Sequence, residues 1–407
     1  MRKLIIILFA VSSIIKADWE TVNSPVNFDI NTVSFIYNQN TGYIGCLAGN
    51  IYKTTNGGTN WQFQNLAGGN GIDINDIYIN PVNNNYVYAA GADGVIHKTT
   101  NGGNNWTFID VGNPSITSII FFDLLHGLAA SYGTQMFITS NGGNNWSTVN
   151  TGLLSENYWD GCYTSNAVYF SASGGKIVKS TNGGVNWSIQ SINENVAVYS
   201  LYFKDVNTGY AGTGNGKVYQ TTNGGTNWFL LSVLNQPISI NCITSNGFDI
   251  YLCGNSGSIY KRPGGGNTWY LQTTNFNSTL HDLCFTGEFT GYTVGVNGVI
   301  KKTTNGGNPI GIEPIAGNIP SEFSLLQNYP NPFNPVTKFE FSLPGSGHVE
   351  IIIYDAAGRI AEVLINEELK AGVYQAEWNG SGFSSGVYFY KIRTKEYTET
   401  RKMILVK

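Results

Sequence analysis

The octapeptide TTNGGTNW, Thr54–Trp61, returns along this chain at a nearly constant spacing. TTNGGNNW follows at Thr99–Trp106, TSNGGNNW at Thr139–Trp146, STNGGVNW at Ser180–Trp187 and TTNGGTNW at Thr221–Trp228. An altered copy, RPGGGNTW, fills Arg262–Trp269, and a truncated one, TTNGGNPI, fills Thr303–Ile310. The first turn positions are Asn56, Asn101, Asn141, Asn182, Asn223, Gly264 and Asn305, so the steps are 45, 40, 41, 41, 41 and 41 residues. A ligand loop needs one copy, whereas seven copies at one period describe a structural unit that buries its face against its neighbours.

Within a unit the clearest text is VYSLYFKD, TGYAGTG, KVYQTT and WFLLSV, between Val198 and Val233. Alternation, aromatics and β-branched residues mark strands, and Gly, Asn and Asp clusters mark turns. Four antiparallel strands per repeat of about 40 residues predict a β-propeller blade. The expectation is an all-β chain whose residues 18–310 form a seven-bladed β-propeller. The seventh copy lacks its tryptophan, because Pro309 and Ile310 stand where Asn and Trp belong. DWETVNSP, from Asp18, resembles segments that follow the other turns, such as NWSTVNTG. The N-terminal strand is therefore expected to close the last blade beside Val299–Thr304, leaving no open sheet edge. Trp19 then joins Trp61, Trp106, Trp146, Trp187, Trp228 and Trp269 as the seventh blade tryptophan.

Each box residue suits a hairpin between third and fourth strands. Asn-Gly-Gly tolerates positive φ, and the Thr54 hydroxyl and Asn56 amide can satisfy turn backbone. Trp61 is large enough to pack across the gap to the next blade. These boxes resemble the Asp-box of sialidase-type propellers, S/T-x-D-x-G-x-T-W, with Asn56 for Asp and Asn60 for Thr. The blade spelling, with TGY before the second strand, is similar to propellers related to the photosystem II stability and assembly factor family. That resemblance implies fold more than task, and it places the boxes at the blade periphery. The Asn-x-Ser/Thr patterns at Asn105, Asn145 and Asn186 are by-products of the box register.

The 407 residues are 42% hydrophobic, 13% aromatic and 12% charged, enough for a large core and more than one domain. A net charge of -4 gives no electrostatic reason to expect nucleic acid or an anionic membrane as partner. Arg2 and Lys3, an apolar run from Leu4 to Ile15 and then Ala17 have the order of a secretory signal over residues 1–17. The run is too short to span a bilayer, and no later one is longer, so the mature chain is expected to be exported without a transmembrane segment. Cys46, Cys162, Cys242, Cys253 and Cys284 lie in strand-like segments. They read as buried small hydrophobes, with a Cys242–Cys253 disulfide as the open alternative in an oxidising compartment.

A sialidase needs an arginine cluster for its substrate carboxylate, and between residues 18 and 310 the chain has Arg262 alone. The arginine patch expected of a photosystem assembly factor is missing for the same reason. Another propeller glycosidase, such as a xyloglucanase, needs two carboxylates facing one cleft. The inner strands should begin near Thr32, Asp76, Ser118, Asp160, Ser200, Asn241 and Asp282, which could ring the mouth of the central channel. Asp76, Asp160 and Asp282 are then the acid candidates, although polar strand ends are common in any propeller. Trp159 and His281 are the candidate ligand-binding side chains, and Trp159 stands outside the box register. No P-loop, GxSxG, HExxH or metal-spaced cluster appears, and nothing points to a cofactor or a metal.

Residues 311–327 read as a linker. Beyond it, NYPNPFNPVTKFEFSLP, VEIIIYDAAGR, AGVYQAEWNG, SSGVYFYKI and TRKMILVK alternate as strands of a small immunoglobulin-like β-sandwich over 328–407. This segment resembles the type A C-terminal sorting domain of the type IX secretion system. The resemblance implies the secretion machinery as a partner and a destination outside the cell. The expectation is a secreted or cell-surface, non-enzymatic binding or scaffold module with an unknown protein or glycan ligand. The alternative is an extracellular carbohydrate-active hydrolase with carboxylates at the channel mouth.

Overall fold

The computed structural model describes residues 19–407 except 38, 69–70, 113, 235–237, 263–268, 273, 305, 308–312, 317–319 and 370. The segment read as an export signal lies outside the described residues, as do Gly264, Asn305, Pro309 and Ile310. Between Glu20 and Thr303 the strands form seven four-stranded antiparallel sheets. Their innermost strands are Ile30–Phe35, Ile74–Ile79, Ile116–Phe121, Tyr158–Tyr163, Val198–Phe203, Ile240–Ser245 and Leu280–Phe285, numbered here as sheets 1 to 7. Each inner strand packs on the next, and that of sheet 7 returns onto that of sheet 1, so the sheets form a closed ring.

The outer strand of sheet 7 comes from the other end of the chain. Glu20–Thr21 pairs antiparallel with Ile300–Thr303, Glu20 opposite Lys302 and Thr21 opposite Lys301. Trp19 is 0% exposed, edge-on to Phe285 of its own sheet and packed with Tyr251 of sheet 6.

Three box tryptophans cement the junctions by one rule, whereas Trp106 meets Tyr43 of the preceding sheet directly and Trp187 meets Phe170 of its own. Trp61, Trp146 and Trp228 sit edge-on to Phe35, Phe121 and Phe203 at the ends of their own inner strands. Those phenylalanines stack on Tyr292, Tyr88 and Tyr169 of the preceding sheet, with ring centroids 4.1, 3.9 and 4.0 Å apart. Trp61 therefore bridges back to the preceding sheet rather than forward to the next. Aromatic pairs of this kind contribute about 0.5–1.5 kcal/mol beyond the area they bury.

The box backbone completes the clasp. Gly57 and Gly58 take φ of 65° and 76°, and the Thr54 hydroxyl accepts from the Gly58 N–H. Asn56 Oδ1 accepts from the Asn60 N–H, and the same contact recurs at Asn101, Asn141, Asn182 and Asn223. The buried glycine carbonyls of the boxes then take hydroxyls from the preceding sheet. Tyr43 donates to Gly102 (2.9 Å), Tyr88 to Gly142 (3.1 Å), Tyr169 to Gly224 (3.1 Å), Tyr251 to Gly306 (2.7 Å) and Tyr292 to Gly57 (2.8 Å). The boxes are inter-sheet joints, and the last of these crosses the seam where the ring closes.

One buried group works against this core. His97, in the third strand of sheet 2, is 0% exposed beside Phe108, and among the described residues neither ring nitrogen has a hydrogen-bond partner. Burial pulls its pKa down to about 4 from 6.5. The unfolded chain then takes up a proton near pH 6.5 that the folded chain refuses until about 4, so stability falls as pH drops through that window. At ~1.4 kcal/mol per pKa unit the loss is about 3 kcal/mol. His97→Leu should remove this acid sensitivity, read as a urea midpoint that changes less between pH 7 and pH 4 than in the wild type. An equal pH slope in the variant would disprove the assignment.

The C-terminal residues form two further four-stranded sheets. Phe339, Phe341 and Trp378 of one share a core with Ile351, Ile353, Tyr390 and Met403 of the other. Glu313–Ala316 and Ser324–Leu325 are edge strands of the first sheet, so part of the segment read as linker belongs to this unit.

Candidate functional site

Every inner strand breaks register with its neighbour near its start. The shift falls between Ile30 and Thr32, Ile74 and Asp76, Ile116 and Ser118, Tyr158 and Gly161, Val198 and Ser200, Ile240 and Cys242, and Leu280 and Asp282. A bulge leaves a residue out of the ladder and re-aims side chains. Repeated around the ring, it creates two circles of side chains at the starts of the inner strands.

The first circle is Thr32, Asp76, Ser118, Asp160, Ser200, Cys242 and Asp282. Asn241, expected at this position in sheet 6, stands one residue earlier, because the segment from the preceding box to the inner strand is longer there by one residue than in sheet 5. Most members of the circle bond their sheet to the next, while Thr32 bonds back to sheet 7. Asp76 Oδ2 accepts from the Ile119 N–H (2.8 Å), and Ser118 Oγ accepts from the Gly161 N–H (3.1 Å). Asp160 Oδ2 accepts from the Leu201 N–H (2.8 Å) and the Ser200 hydroxyl (2.9 Å). Ser200 Oγ accepts from Ile243, and Asp282 Oδ2 accepts from the Val33 N–H (2.8 Å) and the Thr32 hydroxyl (3.1 Å).

Burial pushes the Asp76 carboxyl up to about 7, against the pull of the Ile119 N–H, and the charges of Asp282 and Asp160 push the same way. Burial likewise raises Asp160 to about 6, opposed by the Leu201 N–H and the Ser200 hydroxyl. A carboxyl that holds its proton near neutrality is what a glycosidase acid requires. Here, however, each acid has committed an oxygen to the backbone of the following sheet, which is a structural use. The three stand on sheets 2, 4 and 7, and no group of three or more His, Cys, Asp or Glu among the described residues is placed to hold a metal ion.

The second circle is Asn31, Asn75, Thr117, Trp159, Tyr199, Asn241 and His281. Asn31, Asn75 and Asn241 reach the carbonyls of Ile74, Ile116 and Leu280 on the following sheet (2.9, 2.8 and 2.8 Å). His281 meets the Ile30 carbonyl through Nδ1 (3.1 Å), which makes that nitrogen the donor. Thr117 turns instead to the Ala130 carbonyl of its own sheet (3.2 Å), and Trp159 and Tyr199 bring rings in place of amides. Their rings meet at 4.7 Å and 80°, and Tyr132 approaches Trp159 at 5.6 Å and 77°. Trp159 Nε1 donates to Ser173 Oγ (3.3 Å), which fixes its polar edge. Tyr132 is 54% exposed. Antiparallel connectivity places inner-strand starts beside the second-to-third strand turns that carry Tyr132 and Ser173, and the boxes at the opposite end of each sheet. The cluster is therefore an aromatic patch on the face away from the boxes. Tyr199 was legible as the counterpart of Trp159 one unit on, whereas Tyr132 carries no repeat signal.

Residues 327–407 match the family model of the secretion system C-terminal sorting domain, and residues 11–152 match that of the photosynthesis system II assembly factor YCF48. No curated protein matches the chain in sequence. Among solved structures, YCF48 bound to D1 peptide is similar at a TM-score of 0.61 and 18% identity, over 71% of this chain and 96% of that one. YCF48 from Cyanidioschyzon merolae gives 0.58 and 16%, over 71% and 98%. The WD40 β-propeller domain of Doa1 gives 0.59 and 12%, over 71% and 97%. At these identities the likeness shows the fold alone. No helix among the described residues is long and apolar enough to cross a membrane. The fold is thus that of a β-propeller, its first part similar to the photosystem II assembly factor model, and the chain ends in a sorting domain that directs it by type IX export to the cell surface or beyond.

Proposed function

We propose that residues 18–310 form a seven-bladed propeller acting as a non-enzymatic binding or scaffold module, carried outside the cell by an immunoglobulin-like sandwich at 328–407. The ligand, an extracellular protein or glycan, docks on the patch of Tyr132, Trp159 and Tyr199. One observation carries this reading. At seven equivalent positions, three asparagines and a histidine stitch adjacent sheets and Thr117 bonds to Ala130 of its own sheet, while the two aromatics make neither bond and gather ring against ring instead. Aromatic rings with a fixed polar edge supply large contact area at small entropic cost, which suits recognition.

The full chain and its Trp159→Ala variant, applied to glycan and peptide arrays, test the proposal. Binding by the wild type should weaken roughly tenfold or more in the variant, as for a central aromatic anchor. An unchanged melting temperature shows that the ring is intact. Equal binding by both proteins would remove the patch from consideration. Glycan turnover abolished by Asp76→Ala, Asp160→Ala or Asp282→Ala would establish the hydrolase alternative, and silence on both arrays would favour a purely structural surface-layer protein.

A further inference from the structure

Sheet 6 departs from the first circle in a way that the other six sheets do not. Opposite Thr32, Asp76, Ser118, Ser200 and Asp282, the second strand carries Gly45, Ala90, Ala130, Gly212 and Val294. Beside Asp160 it carries Ser171, whose Oγ accepts from the Asp160 N–H. In sheet 6 alone both positions are cysteine, Cys242 directly opposite Cys253, with the thiols within hydrogen-bonding reach of each other. Cys46, Cys162 and Cys284 stand opposite Ile30, Tyr169 and Tyr292 instead. In this structure all five cysteines carry free thiols.

The substitution also reverses the joint to sheet 7, from acceptor to weak donor. Where Ser200 and the acids accept an N–H from the following sheet, Cys242 directs its thiol to the Leu283 carbonyl at 3.4 Å, and the Leu283 N–H turns back to Asp282 Oδ1 (2.7 Å). Sheet 6 thus lacks the acceptor its neighbours use and gains a second sulfur across the ladder.

We propose that Cys242 and Cys253 are joined as a cross-strand disulfide when the chain passes through the cell envelope. The geometry supplies the pair, and the sorting domain supplies the route through a compartment that permits disulfides. A disulfide-bearing oxidant, such as a thiol–disulfide oxidoreductase, completes the chemistry. One cysteine thiolate attacks the oxidant disulfide and displaces a thiolate, and the second cysteine thiolate then breaks the mixed disulfide. The protein S–S bond forms, the oxidant leaves as a dithiol, and the two thiol protons pass to it. The hydrogen bond to Cys253, together with burial, pushes the Cys242 thiol well above its ordinary range, so exchange belongs to the stage before sheet 7 packs on sheet 6.

The test uses the full chain exported into an oxidising periplasm, quenched in acid and alkylated under denaturing conditions with iodoacetamide. It is then reduced and labelled with N-ethylmaleimide. Peptides containing Cys242 and Cys253 should carry only the second label, while Cys46, Cys162 and Cys284 carry the first. In Cys253→Ser, Cys242 should move to the first label. Iodoacetamide on both cysteines of the exported wild type overturns the proposal, and so does a Cys242 that stays blocked in Cys253→Ser, because its partner would then be another thiol.

Discussion

Ending the chain at Gln327 should leave a folded ring in the periplasm and remove essentially all of it from the cell surface and medium. The physical ground is that the two parts have separate cores. The C-terminal cluster, from Leu325 through Phe339 and Ile351 to Leu405, is closed within its own two sheets. The ring is closed by Glu20–Thr21 and by the Tyr292–Gly57 clasp without any residue beyond Gly307. Removing residues 328–407 therefore takes away the address and leaves the cargo. Fractionation with an antibody to the ring measures the outcome, and protease resistance of the periplasmic fraction shows that it is folded. Full-length levels of the truncated protein in the medium would rule out the sorting role.

Trp19→Ala should be among the most damaging single changes in the ring, at about 3–5 kcal/mol, the usual cost of truncating a fully buried tryptophan. Trp19 is the part of the N-terminal segment that fills the core between sheets 6 and 7, whereas Glu20 and Thr21 are exposed. Val185→Ala, in the box of sheet 4 with 68% exposure, should stay within about 0.5 kcal/mol. Urea midpoints of the three proteins decide the matter. A Trp19→Ala loss no larger than that of Val185→Ala would mean that the closing strand contributes little.

The repeat period was enough to expect four strands per unit, and the displaced tryptophan was enough to expect closure by the N-terminal strand, because both are written as local spelling. The use of Asp76, Asp160 and Asp282 was not legible. Each accepts from a backbone N–H on another sheet, 43, 41 and 249 residues away, and a main-chain donor has no letter in the sequence. The displacement of Asn241 from the circle has another origin, a segment between box and inner strand that is longer by one residue in sheet 6 than in sheet 5, which the constant box period does not reveal. Tyr132 was invisible because it lies in a turn whose counterparts differ in every unit. The direction in which Trp61 bridges was also beyond reach, because periodicity alone does not say on which side a neighbour lies.

The two-residue ladder between Glu20–Thr21 and Lys301–Lys302 has a mechanical meaning. Both chain ends leave the ring at the same edge, Trp19 beside Thr303, because the strands run antiparallel. Tension applied through the C-terminal tail while the N-terminus is held would peel this ladder one pair at a time, instead of shearing all its bonds together. Every other sheet of the ring is built from four consecutive strands, so the ring has a designated place to open, and it lies close in sequence to the domain that directs export.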